Sequence, residues 1–337
     1  MSAITHAKVP TGTRSRSPSR PTPREADPGL SRPGLGQANQ MPEVLTADLQ
    51  IAYEASGPGQ GRPLVAVHGW PDDPTCWERV LPALEDAGYR VLRPYLRGFG
   101  PTRFRSPDKP RSGQIGALGH DLAAFLEALD LGEVVLVGHD WGARAAYVVG
   151  ALFPERVERI VAISAGHVTN RPDAPLSWPL TRAYWYEWLV ATTRGRRAIA
   201  EDRRGFCRYL WETWSPSWSF DEREFDRAAQ AWDNPDWPEI SVHAYVHRWG
   251  EADGDPAYEE IERRLLEPAT VTVPTLLLHG ADDADNLPET TEGKEDLFTA
   301  GYERVLLNGV GHFPPREASR DVAGAILGFA GQPERPV

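Results

Sequence analysis

The sequence predicts an α/β protein: a mostly parallel sheet with helices on both faces, interrupted by one helical insertion. Three observations carry that reading. Short β-rich apolar runs alternate with helical stretches, the alternation stops at about residue 168, and it resumes after about residue 270. Nine of the twelve tryptophans fall inside the interruption, which marks it as a helical unit packed over another surface.

Residues 1–41 come first and are rich in Pro, Ser, Arg and Gly, with almost no apolar periodicity. Such a segment cannot bury enough surface to offset its ordering entropy, so a disordered tail is expected. The first part of the core follows over 42–167. Its strands are LVAVH (64–68), RVLRP (90–94), VVLVG (134–138) and IVAIS (160–164), each bounded by turn residues. Helical stretches lie between them at roughly 75–87, 115–130 and 141–152. Residues 168–270 form the helical, aromatic insertion. VPTLLLHG (273–280) and ERVLLN (303–308) then restore the strands of the second core part, 271–337.

Size and composition bound the function. A chain of 337 residues holds a large core, as one big domain or one domain with an insertion. Its 36 basic and 48 acidic residues leave a net charge of −12, which disfavours nucleic acid and anionic membrane as partners. No uninterrupted apolar run reaches the roughly 18 residues of a transmembrane helix. Two cysteines, Cys76 and Cys207, are too few for a disulfide framework, and the first 40 residues contain no apolar signal-peptide core. A cytoplasmic protein is expected. A homodimer is compatible with the sequence.

The chemistry centres on Gly138-His139-Asp140-Trp141-Gly142, which matches the G-x-S-x-G elbow of serine hydrolases at both glycines but carries Asp140 in the serine's place. The pentapeptide lies between an apolar strand and a helical stretch, and Gly138, Gly142 and Ala143 allow the sharp turn that lifts a side chain above the sheet. Earlier, His68-Gly69-Trp70-Pro71 follows strand LVAVH, where a constrained loop supplies a first backbone N–H to an oxyanion. The N–H of Trp141 is the expected second donor. Later, Gly280-Ala281-Asp282-Asp283-Ala284-Asp285 and Val310-Gly311-His312-Phe313 each follow a strand. Nucleophile, acid and histidine in that chain order form a hydrolase triad, with Asp283 as acid, Asp282 as its alternative and His312 as base.

Why an aspartate at the elbow? A serine that displaced a group from saturated carbon would form an ether, which water and a histidine cannot cleave. A carboxylate forms an ester instead, and His312 can direct water at its carbonyl. Asp140 therefore points to displacement at sp³ carbon, with an epoxide or halide as leaving group, and away from esterase or lipase work.

HGWP, GHDWGAR, HGADD and GVGHF, in this order and spacing, resemble the epoxide hydrolase and dehalogenase branch of the α/β-hydrolases over about residues 42–330. The resemblance implies a cofactor-free hydrolase with a helical cap after the sixth strand, where 168–270 breaks the pattern. It also implies cap tyrosines that protonate an epoxide oxygen. Tyr245, in VHAYVHRW, stands where the second is expected. AYWYEWL offers Tyr184 or Tyr186 as the first, with Tyr186 preferred; another alignment places Leu189 there and leaves a single phenol. Trp70 replaces the Asn common in haloalkane dehalogenases, and the GHDRG form of fluoroacetate dehalogenases is absent, so epoxide opening leads and halide displacement is the alternative.

The cap's aromatic content suggests a small apolar, even aromatic, substrate. A rival from another class is a repurposed or non-catalytic member that binds a small apolar ligand. His243 and His247 stand four apart, as in H-E-x-x-H zinc sites, but the glutamate and a third ligand are missing, so no metal is expected.

Overall fold

The computed structural model describes residues 41–168, 176–266 and 270–331. Of the tail expected over 1–41, all but Met41 lies outside the described residues.

The chain enters through β1 (Glu43–Leu45), β2 (Leu49–Ser56) and β3 (Arg62–Val67). Helix α1 (Leu81–Asp86), β4 (Tyr89–Pro94) and the short β5 (Arg103–Phe104) follow. Then come α2 (Ile115–Ala128), β6 (Val134–His139), α3 (Trp141–Leu152) and β7 (Val157–Ile163). Seven helices occupy the described part of the interruption: α4 (Trp178–Ala183), α5 (Trp185–Val190), α6 (Thr193–Glu201), α7 (Arg203–Trp214), α8 (Glu222–Ala231), α9 (Trp237–Arg248) and α10 (Glu259–Leu266). The chain closes with β8 (Thr275–Gly280), β9 (Tyr302–Leu307), α11 (Pro314–Glu317) and α12 (Ser319–Ala330).

Among the described residues the strands form one sheet in the order β1-β2-β4-β3-β6-β7-β8-β9, with β5 added to β2. From β4 to β9 every pairing is parallel; β1, β2 and β5 pair antiparallel at one edge. The fully buried strands β6 and β8 read as nearly unbroken apolar runs because alternate side chains enter two different cores. Val65, Val67, Leu136 and Leu277 face a core with α2 and α3, whereas Leu64, Ala66, Val135 and Leu278 face one with α1 and α12.

Two expectations change. The helix expected over 75–87 is a 3-10 turn, Pro74–Trp77, followed by the short α1. Asp73 caps that turn by accepting from Thr75 N–H, and Pro82 starts α1 afresh in its first turn. The antiparallel edge, β1, β2 and β5, is an addition to the strands read from the sequence.

The parallel arrangement brings the carboxyl ends of β3, β6, β8 and β9 to one edge, where open α/β sheets place their chemistry. The helical insertion is fastened there. Trp211 Nε1 of α7 donates to Pro71 O at 2.9 Å, and the buried Arg316 of α11 bridges Asp72 of the β3 loop to Glu224 of α8. No helix among the described residues is long and apolar enough to cross a membrane.

Candidate active site

The elbow stands at the junction of β6 and α3. Asp140 has φ 46° and ψ −110°, a backbone conformation that carries strain for a residue with a Cβ and recurs at functional turns. Two glycines make room for it. A Cβ on Gly69 would meet Asp140 Cβ at 2.6 Å, and one on Gly142 would meet Val67 O at 2.3 Å. Only a bare backbone permits these approaches.

Through Gly69 the loop after β3 passes close enough for Trp70 N–H to donate to Asp140 Oδ1 at 2.9 Å. The Trp70–Pro71 peptide bond is cis. The Asp140 carboxylate does not cap α3, the helix that it opens and that Trp141 begins. His68 is spent on the backbone of two loops. Its Nε2 accepts from Leu96 N–H at 3.1 Å, which leaves Nδ1–H to donate to Gly69 O at 2.8 Å. Burial lowers its pKa to about 4, so it is a neutral brace of the loop.

His312 lies on the loop after β9, fully buried, with Nδ1 2.9 Å from Asp283 Oδ2. Asp283 Oδ2 also lies 3.1 Å from His279 Nε2, and Asp283 Oδ1 accepts from Asp285 N–H. Burial would raise the Asp283 pKa, but the His312 charge and the hydrogen bonds of both histidines outweigh it and hold it at about 2. For His312, burial would lower the pKa, but the charge and hydrogen bond of Asp283 raise it to about 9, with Asp285 and Asp140 adding to the effect. Nε2 of His312 is buried and has no hydrogen-bond partner among the described residues. Of the two candidate acids, Asp283 meets His312 and Asp282 is exposed to solvent.

The histidine loop is clamped from two sides. Glu317 accepts from Gly311 N–H and Phe313 N–H, and Ser215, just after α7, accepts from His312 N–H at 2.8 Å while donating to Glu317. Trp214 packs edge-on against the imidazole at 4.9 Å between centroids.

The helical insertion faces this edge with aromatic side chains. Trp70 stacks on Tyr186 at 5.6 Å and meets Tyr245 edge-on at 4.9 Å, and the two tyrosine rings lie 5.1 Å apart. Tyr184 points elsewhere: its hydroxyl donates to Asn286 Oδ1. Burial raises the phenols of Tyr186 and Tyr245 well above the ordinary tyrosine range, so both are protonated at neutral pH. The Tyr186 hydroxyl donates to Glu187 Oε1 at 3.1 Å. The same buried carboxylate accepts from Arg248 Nη1 at 2.7 Å and from Trp249 Nε1 at 2.6 Å, which ties α5 to the end of α9. Trp70 Nε1 donates to Ser241 Oγ of α9.

Beyond Trp141 and Tyr245 a cavity of about 320 Å³ opens between α2, α3, α9 and α10. His243 and His247 stack at 5.5 Å near it, but His243 Nδ1 accepts from Gly113 N–H and its Nε2 lies 3.0 Å from Asp253 O. No cluster of three metal-ligating side chains exists among the described residues.

The structure thus gathers Asp140, Trp70, Gly69, His312, Asp283, Tyr186 and Tyr245 around one edge, with Trp141 beside them and His68 and Pro71 as supports. Sequence reasoning missed Glu187, Arg248, Trp214, Ser215, Asp285 and Glu317. Glu187, Arg248 and Asp285 lie inside AYWYEWL, VHAYVHRW and GADDAD, but Glu187 pairs with Arg248 across 61 residues and Ser215 meets His312 N–H across 97, which no local pattern announces.

Comparison with known proteins identifies the family. The family model described as alpha/beta hydrolase fold matches residues 62–317. An epoxide hydrolase of Caballeronia sordidicola is 35% identical over 83% of this chain and 90% of its own. Epoxide hydrolase A of Mycobacterium tuberculosis is 27% identical over 82% of this chain and 92% of its own. A crystal structure from Klebsiella pneumoniae, of a protein provisionally named an epoxide hydrolase, superposes with a TM-score of 0.80 at 35% identity and covers 86% of this chain and 97% of its own.

Proposed function

The chain belongs to the α/β-hydrolase fold family and is epoxide hydrolase-like, and from that premise we propose that it opens epoxides to diols through an alkyl ester on Asp140. The observation that carries the proposal is the pairing across the site. A carboxylate on a strained elbow accepts from Trp70 N–H, and the side chain of that same Trp70 packs against two protonated tyrosines whose rings lie 5.1 Å apart.

Asp140 attacks one epoxide carbon, the ring C–O bond breaks, and the nascent alkoxide takes a proton from Tyr245, while the Tyr186 O–H turns from Glu187 to donate to the same oxygen. His312 Nε2 then removes a proton from water as the water oxygen adds to the Asp140 carboxyl carbon. Trp70 N–H, joined by Trp141 N–H, holds the oxyanion. When the ester C–O bond breaks, the diol oxygen takes the proton from His312, and the second water proton, left on the Asp140 carboxyl, passes to His312 and restores its resting charge. The sum is epoxide plus water to diol.

The resting charges suit this order. His312 holds its proton partly because Asp140 is charged. Alkylation removes that charge and lowers the imidazole's affinity for its Nε2 proton, which passes to the Tyr245 phenolate left by ring opening, so His312 is neutral at the step that needs a base.

A second reading keeps the nucleophile and exchanges the leaving group for halide. It is favoured by the buried indole N–H groups of Trp214 and Trp237, which have no hydrogen-bond partner among the described residues. Diol formation from styrene oxide by wild type, set against halide release from haloalkanes, separates the two. Epoxide turnover that is absent from Asp140→Ala supports the proposal, whereas halide release without epoxide turnover overturns it.

A further inference from the structure

The space around the tyrosines is one-sided. On the side of α7 the site is closed: Trp70, Trp214, Trp237 and Tyr186 are each no more than 2% exposed. Trp70 stacks on Trp237 at 6.0 Å, and Trp214 lies 5.0 Å from Tyr186 and 4.9 Å from His312. These are contact distances between rings, and none of the four side chains lines the cavity.

The open side is the cavity behind Trp141 and Tyr245. Its walls carry Leu118 and Val148, and its rim carries the half-buried Ile115 and Leu265. The charged side chains that reach it have partners of their own: Arg144 donates to Asn286, Arg248 to Glu187, and Glu262 accepts from Gly116 N–H. What remains for a ligand is mostly apolar wall. A dry cavity of about 150 Å³ accommodates benzene, so 320 Å³ fits a group of about two rings.

We infer that the cavity selects terminal epoxides whose single substituent is apolar and about the size of a naphthyl group, which projects between α2, α3, α9 and α10. The inference rests on the epoxide-opening proposal above. In it the unsubstituted CH₂ of the ring lies toward the closed aromatic side, and the substituted carbon lies toward Tyr245 and the cavity. A 1,2-disubstituted epoxide would drive its second group into Trp70 and Trp214.

The test is a series of epoxides bearing methyl, phenyl or 2-naphthyl, with trans-stilbene oxide as the disubstituted member. The expected kcat/KM rises at least tenfold from methyl to phenyl and again to naphthyl, and stilbene oxide falls at least a hundredfold below the naphthyl compound. Ile115→Trp should reduce the naphthyl-to-methyl ratio at least tenfold by filling the rim, and Ile115→Ala, which needs no extra room, should shift the preference to larger groups. Calorimetric binding of the corresponding diols reads the cavity without chemistry. Diol affinity that grows with ring size, without turnover of any epoxide, would uphold the cavity assignment and sink the reaction. Turnover with a flat size dependence, or with stilbene oxide as the best substrate, would overturn the inference itself.

Discussion

The two halves of the site are held in place by different means. On the sheet edge, position is set by backbone: Asp140 by its strained φ and by glycines at contact distance, Trp70 N–H by the loop after β3, His312 by a loop whose N–H groups are captured by Glu317 and Ser215. On the helical side, position is set by side chains: Tyr186 and Tyr245 by ring contacts with Trp70, and α5 against α9 by the Glu187–Arg248 pair. Backbone-held groups tolerate no change of shape. Side-chain-held groups can be re-spaced without altering the sheet, so under the proposed mechanism the nucleophile and base belong to the first half and the proton donors to the second.

The largest effects should therefore come from the sheet edge. Asp140→Ala is expected to abolish turnover. Asp283→Asn should lower it by about 10⁴-fold, the loss seen when a triad imidazole is mis-oriented, while the exposed Asp282→Asn changes it little. Steady-state kinetics on one epoxide compares all three, and equal losses at Asp282 and Asp283 would break the assignment.

Next come the phenols. Tyr245→Phe removes a hydroxyl and little volume, and should slow alkylation by about 10²-fold, as loss of a general acid does. Hydrolysis of the preformed ester should be little affected. Tyr186→Phe should cost less, because its hydroxyl already donates to Glu187. Single-turnover stopped flow separates the steps, and wild-type alkylation in both variants would place the proton donor elsewhere.

Smaller effects concern stability. Gly69→Ala pushes a methyl toward Asp140 Cβ, a contact of 2.6 Å, and should cost about 1–3 kcal/mol in urea denaturation. The His312 pKa is raised in the fold from an ordinary 6.5 to about 9. A raised pKa stabilises the fold fully below pH 6.5, and that contribution disappears as pH rises through 9. Wild type should lose stability across this window, and His312→Gln should lose less. A parallel decline in both would contradict the buried imidazolium.

The same contrast explains what the sequence makes legible. GHDWGAR, HGWP, HGADD and GVGHF are contiguous pieces of strand and turn, so their chemistry and their neighbours in the fold coincide. The parallel sheet is legible for a similar reason, since strands buried on both faces are apolar throughout. The antiparallel edge is not: β1 and β5 are short and largely exposed, so their pattern is faint. The choice between Tyr184 and Tyr186 is hidden by a break. α4 ends at Ala183 and α5 begins at Trp185, so helical phase does not carry across AYWYEWL. Glu187 and Arg248 are 61 residues apart, and no local pattern announces their pairing.

The central claim is the covalent ester on Asp140, and intact-protein mass of His312→Gln after exposure to styrene oxide tests it most directly. The account predicts a mass increase equal to one substrate molecule, located on Asp140 by peptide mapping and absent from the Asp140→Ala, His312→Gln double variant. An adduct on another residue, or one that persists without Asp140, would contradict it.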